Sequence, residues 1–77
     1  MAETAHFVQT FKKQGRRLVA GQPQAFKTPD QARLRGLKAS DTAEGVVVFS
    51  VTGEPEFGEF DAPVVLARYG EVPQDFQ

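Results

Sequence analysis

The chain has no cysteine and a single histidine. The first absence excludes disulfides, thiolate metal sites and a cysteine nucleophile, and it suits a reducing compartment. The second leaves only His6 for imidazole chemistry. The sequence places no acid beside it, so His6 reads as a surface or packing residue of a strand rather than a catalyst or ligand. No apolar run approaches the roughly 20 residues of a bilayer span, and the opening MAETAHF lacks the basic end and apolar block of a signal peptide. The expectation is a cytoplasmic protein without membrane contact. The seven glycines are scattered rather than gathered into a phosphate-cradling loop, and Ser40 and Ser50 have no companions for acyl transfer. No catalytic residue, cofactor site or metal site is expected, and the chain reads as a non-enzyme.

At 77 residues the chain is one domain, 1–77, near the lower limit of what buries a self-sufficient core without staples. Surface shared with a partner is therefore a plausible part of its stability. The net charge of -1 hides a segregation: residues 1–40 hold eight of the nine Lys and Arg against two acids, for +6, while residues 41–77 hold one Arg against eight acids, for -7. Such asymmetry suits a polyanion-binding face, or two halves that attract each other within the fold or across a dimer.

Alternation of Phe7, Gln9 and Phe11 with His6, Val8 and Thr10 predicts a strand over about 5–12. Lys13-Gln14-Gly15-Arg16 reads as a turn, and a short strand follows over about 17–21. Pro23 has no ladder donor, which puts that end at a sheet edge. The sharpest local signal is TPDQ: Thr28 is a good N-cap, Pro29 suits the first helical position, Asp30 favours the positive end of the dipole, and Gln31 fits a capping box. A helix is expected over about 29–41. It carries Leu34 and Leu37 on one side and a small-residue stripe of Ala32, Gly36, Ala39 and Ala43 on another, and either could face a sheet. Apolar runs predict strands over about 46–51 and 64–69, followed by a flexible tail over about 71–77 in which Val72 and Phe76 are the candidates to dock. The expected fold is α+β, in the order β-β-α-β-β, an antiparallel four-stranded sheet with one helix on one face.

That architecture leaves a deficit. One short helix shields one face of the sheet, yet the last two predicted strands are apolar on both faces, whereas a solvated face is normally polar. The cover could come from Phe57 and Phe60 of the long Ser50-to-Pro63 connection, from the tail, or from a second copy of the chain. Phe7, Phe11, Phe57, Phe60 and Tyr69 are the candidate partner surface, for an unidentified protein or a homodimer. In the same connection Glu54, Glu56, Glu59 and Asp61 invite a calcium reading, but Pro55, Phe57 and Phe60 interrupt the ligand spacing, and a solvated acidic loop is the simpler account. Nucleic-acid binding is the alternative function. Lys12, Lys13, Arg16 and Arg17 would contact the phosphates, supported by Lys27, Arg33, Arg35 and Lys38 around the helix.

The run GVVVFSVTGEPEFGEFDAPVVLARYGEVP resembles the C-terminal signature of a family of short, uncharacterised, mainly alphaproteobacterial proteins. FVQTF near the start and the helix opening TPDQA extend the likeness over most of the chain. The resemblance implies a small cytoplasmic protein with this order of strands and helix. It assigns no activity and no site residue. Gly36 within the helix and the short KKQG turn depart from the pattern, which bears on the register of the first hairpin.

Overall fold

The computed structural model describes residues 2–73. Strand β1 (Glu3–Gln14) runs through the middle of the sheet. It turns into β2 (Arg17–Ala20) through Gly15 and Arg16, with Gln14 opposite Arg17. Gly15 has φ +64° and among the described residues no non-glycine residue has positive φ, the pattern of a II′ turn whose twist matches the flanking strands. Beyond Ala20 the edge is interrupted. Gly21 donates its N–H to the Thr10 carbonyl at 2.9 Å, the buried Gln9 amide donates to the Gly21 carbonyl, and Pro23 breaks the ladder. The chain then rejoins β1 as β3 (Gln24–Phe26), opposite His6 to Val8.

Helix α1 (Pro29–Ala39) starts as its sequence requires: the Thr28 hydroxyl accepts the Gln31 N–H at 3.1 Å, with Pro29 and Asp30 in the first turn. It is shorter than the expected 29–41 because Ser40 and Thr42 turn their hydroxyls back on the Leu37 and Ala39 carbonyls, and the Asp41 and Thr42 N–H groups close tighter turns onto Lys38 and Ala39. Strand β4 (Gly45–Glu54) follows, then a 3₁₀ turn (Pro55–Phe57), β5 (Glu59–Phe60) and β6 (Val64–Gly70). All pairings are antiparallel. β1 and β4 form the centre of a curled sheet, β2 and β3 flank β1, and β6 and β5 flank β4.

The α+β class with one helix and an antiparallel sheet is thus what the chain adopts, but the sheet has six strands rather than the expected four. The additional strands, β3 and β5, are three and two residues long, too short for a period-2 pattern to register. β4 also runs beyond 46–51, because Thr52, Gly53 and Glu54 keep pairing with β1 or β5.

The small-residue stripe faces the sheet. Ala32, Gly36 and Ala39 are buried, while Leu34 and Leu37 are 56% and 54% exposed. Ala32 and Ala39 pack with Val8, Val46 and Val48, rimmed by Phe26, Ala43, Leu66, Ala67 and Tyr69. A Cβ on Gly36 would lie 2.4 Å from Val48 Cγ2, so the helix backbone sits against the valine. A shift in the β4–β6 register beside Val48 lets both Leu66 and Ala67 point to this core. Val8, Val46, Val47 and Val48 are fully buried, and each contributes on the order of 1.5–3 kcal/mol.

Candidate interaction groove

Among the described residues the second sheet face carries no helix, and its cover is uneven. After Gly70 the chain turns back across the sheet, with the Glu71 N–H on the Glu44 carbonyl at 2.9 Å. Its carbonyl lies 1.6 Å from where a Gly45 Cβ would be. Val72, 9% exposed, packs with Phe11 and Val47 beside Leu18, Phe49 and Val65. The first residues of the segment expected to be a flexible tail therefore close half of this face, because an apolar valine finds an uncovered apolar site one step beyond the strand. Phe76 lies outside the described residues.

Among the described residues the other half is concave. Glu3, Thr4, Ala5, Phe7, Phe49, Val51, Pro55 and Phe60 line a groove of about 660 Å³. Phe7 and Phe49 are cross-strand partners whose rings stack with centroids 5.4 Å apart and planes 25° apart, a contact worth about 0.5–1.5 kcal/mol beyond burial. Phe60 stands at the rim, 62% exposed, and Phe57 is 68% exposed on the adjoining turn. The Ser50-to-Pro63 connection is therefore a β4–β5 hairpin rather than a loop folded over the sheet, and its phenylalanines do not seal the face.

The candidate residues separate accordingly. Phe7 and Phe60 meet in the groove, and Phe57 lies beside it. Phe11 is not available to a partner: it is buried beneath Val72, because its strand position opposite Gly45 is where the returning chain crosses. Tyr69 belongs to the helix-side core, since its pairing with Val46 turns it to the opposite face. Phe49, Val51, Ala5 and Pro55 complete the groove without having been singled out from sequence. The usable signal was strand parity, which puts Phe49 and Val51 on the same face as Phe7 once β1 and β4 are paired.

Charge lies at the two ends of the long strands. At the groove end Glu54 is paired directly with Glu59; Glu3 lines the groove, and Glu54, Glu59 and Asp61 line a smaller depression that shares Phe60 with it. From residue 39 to residue 67 the chain has no Lys or Arg. At the other end Lys12, Lys13, Arg16 and Arg17 are exposed on the first hairpin. Lys13 Nζ meets Glu71 Oε1 at 2.8 Å, and the Lys13 N–H donates to the Glu44 carboxylate at 3.2 Å. The hydrogen bond and charge of Glu71 hold the Lys13 pKa above its ordinary 10.5. His6 lies away from the groove. Its Nδ1 is 2.7 Å from the Ser50 hydroxyl of the neighbouring strand. Among the described residues no three His, Asp or Glu side chains are grouped to hold a metal ion, and no helix is long and apolar enough to cross a membrane.

No family model matches this sequence, and no curated protein or solved structure is significantly similar to it.

Proposed function

We propose that the protein is a non-enzymatic interaction module whose working surface is the groove between Phe7, Phe49, Val51 and Phe60. The observation that carries this reading is the uneven cover. Val72 packs over Phe11 and Val47, whereas among the described residues the neighbouring groove carries Phe60 at its rim, 62% exposed, with Phe57 68% exposed beside it. An apolar surface of this kind on a small domain favours a protein partner. The groove lining offers one carboxylate, Glu3, and one hydroxyl, Thr4, which is the composition of a docking surface rather than of an acid–base pair.

The test is photocrosslinking in the native host, with a benzoyl-phenylalanine at position 60 and, as control, at the exposed helix position 37. A protein adduct from position 60 and none from position 37 is the expected result. Equal yields, or no adduct at 60, would remove the groove as a partner site.

A second reading has its own support. Lys12, Lys13, Arg16 and Arg17 are exposed together on a tight hairpin, an arrangement that can lie along phosphates. Affinity for a random oligonucleotide should then fall steeply with salt and drop on charge reversal at Arg16 and Arg17; no binding at low salt dismisses it.

A further inference from the structure

We infer that the groove takes a segment of another protein that presents an arginine flanked by apolar side chains, with the guanidinium between the Phe60 ring and the Glu3 carboxylate. The inference rests on the reading that the groove is a partner surface, and it names the chemistry which that surface selects.

The hollow follows from the register of three strands. On the face away from the helix, Glu3, Ala5 and Phe7 of β1 lie opposite Gly53, Val51 and Phe49 of β4, and Phe60 of β5 lies opposite Gly53. These residues form three rows across the sheet. The outer two rows are four residues apart along each strand, about 13 Å. One ends in Phe60 and the other holds the stacked Phe7 and Phe49. The row between them has only Ala5 and Val51, whose side chains are shorter than a phenyl ring, and a depression bounded by rings results.

Gly53 fixes the near end of that depression. A Cβ at position 53 would collide with Phe60 Cδ1 and the Glu59 carbonyl, so the ring rests against the bare backbone of β4, in the same row as Glu3. Phe60 is nevertheless 62% exposed, which leaves much of the ring to a ligand.

Charge decides what that ligand carries. Residues 1–11 and 39–67 supply the whole lining and contain no Lys or Arg. Glu3 is the one ionisable group of the lining, and among the described residues it belongs to neither ion pair, Lys13–Glu71 or Arg33–Asp30. By strand alternation Glu54 and Glu59 stand on the helix side of the sheet, so the pull on a cation within the groove comes from Glu3 and from the ring faces, whose π electrons attract positive charge. A guanidinium meets both demands: it stacks on an aromatic face and forks onto a carboxylate, and it is more weakly hydrated than an ammonium. The groove, at about 660 Å³, is larger than one side chain. Apolar neighbours of the arginine fill the remainder, over Ala5 and Val51 and against Phe7.

The experiment lets the surface choose its ligand. Selection of a random dodecapeptide phage library on the wild-type chain should enrich sequences with an arginine beside apolar residues. The enriched peptide, titrated by NMR, should shift the amides of Ala5, Val51 and Gly53. Replacing its arginine with citrulline keeps the shape and removes the charge, and should weaken binding about tenfold. Glu3→Gln should weaken the arginine peptide and leave the citrulline peptide unchanged. Phe60→Leu keeps the apolar bulk and should narrow the gap between the two peptides. Both positions are exposed, and an otherwise unchanged amide spectrum verifies the fold of each variant. Enrichment of acidic or uncharged peptides, no enrichment, equal affinity for the arginine and citrulline peptides, or a gap unaffected by Glu3→Gln each overturns the inference. The crosslink at position 60 separates this failure from that of the groove itself. An adduct whose attached segment has no basic residue overturns the arginine and keeps the groove. An adduct of twice the chain mass gives the groove to a second copy and overturns the inference, and no adduct overturns both.

Discussion

Replacing Gly36 with alanine should destabilise the protein, against the intrinsic preference of a helix. Alanine in place of glycine in a helix interior gains about 1 kcal/mol. Here the added methyl would stand 2.4 Å from Val48 Cγ2, and Val48 cannot retreat: it is fully buried, and its branched Cβ restricts it to few rotamers. Overpacking of this kind costs about 1–3 kcal/mol. With an obstacle so stiff the upper part of that range applies, and the net loss is about 1–2 kcal/mol. For a domain of this size each kcal/mol lowers Tm by roughly 4–8 °C. Urea and thermal unfolding followed by far-UV circular dichroism measure it directly. Val48→Ala alone should cost about 2 kcal/mol. In that background Gly36→Ala should become stabilising by about 1 kcal/mol, since the new methyl enters the space the valine vacated and the helix preference is unopposed. If Gly36→Ala raises the stability of the wild type, or if the two changes add to within about 0.5 kcal/mol, the helix does not rest on the sheet through Gly36.

Gly45→Ala should be more damaging than Gly36→Ala, by several kcal/mol, because its Cβ would collide with the Glu71 backbone; unfolding in urea is again the measure. Val72→Ala should cost about 1.5–2 kcal/mol and speed hydrogen exchange around Phe11 and Val47, which it covers. Phe60→Ser, at a mostly exposed site, should change stability by less than about 1 kcal/mol, read by urea unfolding. The Lys13–Glu71 contact predicts a pH effect. The folded-state pKa of Lys13 is raised, so its stabilisation is fully present below the ordinary lysine value and is lost as pH rises through the folded value. The stability difference between wild type and Glu71→Gln should therefore shrink across the alkaline range above about 10.5, and a difference that persists unchanged there would refute the pairing.

The helix was legible to the residue at its start, because Thr28, Pro29 and Asp30 act through backbone geometry a few positions away. Its buried face was not, since leucines bury more area than alanines and only the position of Val48 shows that the backbone must come close. The apolar excess of the second face was visible in Val47, Phe49, Val51 and Val65. How that excess is shared between the chain and its surroundings depended on Val72 reaching Phe11 and Val47, a contact between distant segments that no local pattern encodes. The same holds for the acidic connection. Its composition announces an exposed turn, but that Glu59 and Phe60 pair back onto β4 follows from the tertiary register. For this reason Phe7 and Phe60 come together in the groove, while Phe11 and Tyr69 belong to the two cores.

The pairing of β1 with β4 sets the pace at which this molecule can form. Contacts such as Thr4–Thr52 and His6–Ser50 join positions 48 and 44 apart in sequence, so the centre of the sheet cannot nucleate as a hairpin and must wait for closure of a long loop. Folding in the millisecond-to-second regime follows, with β1 exposed on one side throughout that interval. A nascent chain released only as far as the helix would hold half of a sheet and, of its four fully buried valines, Val8 alone.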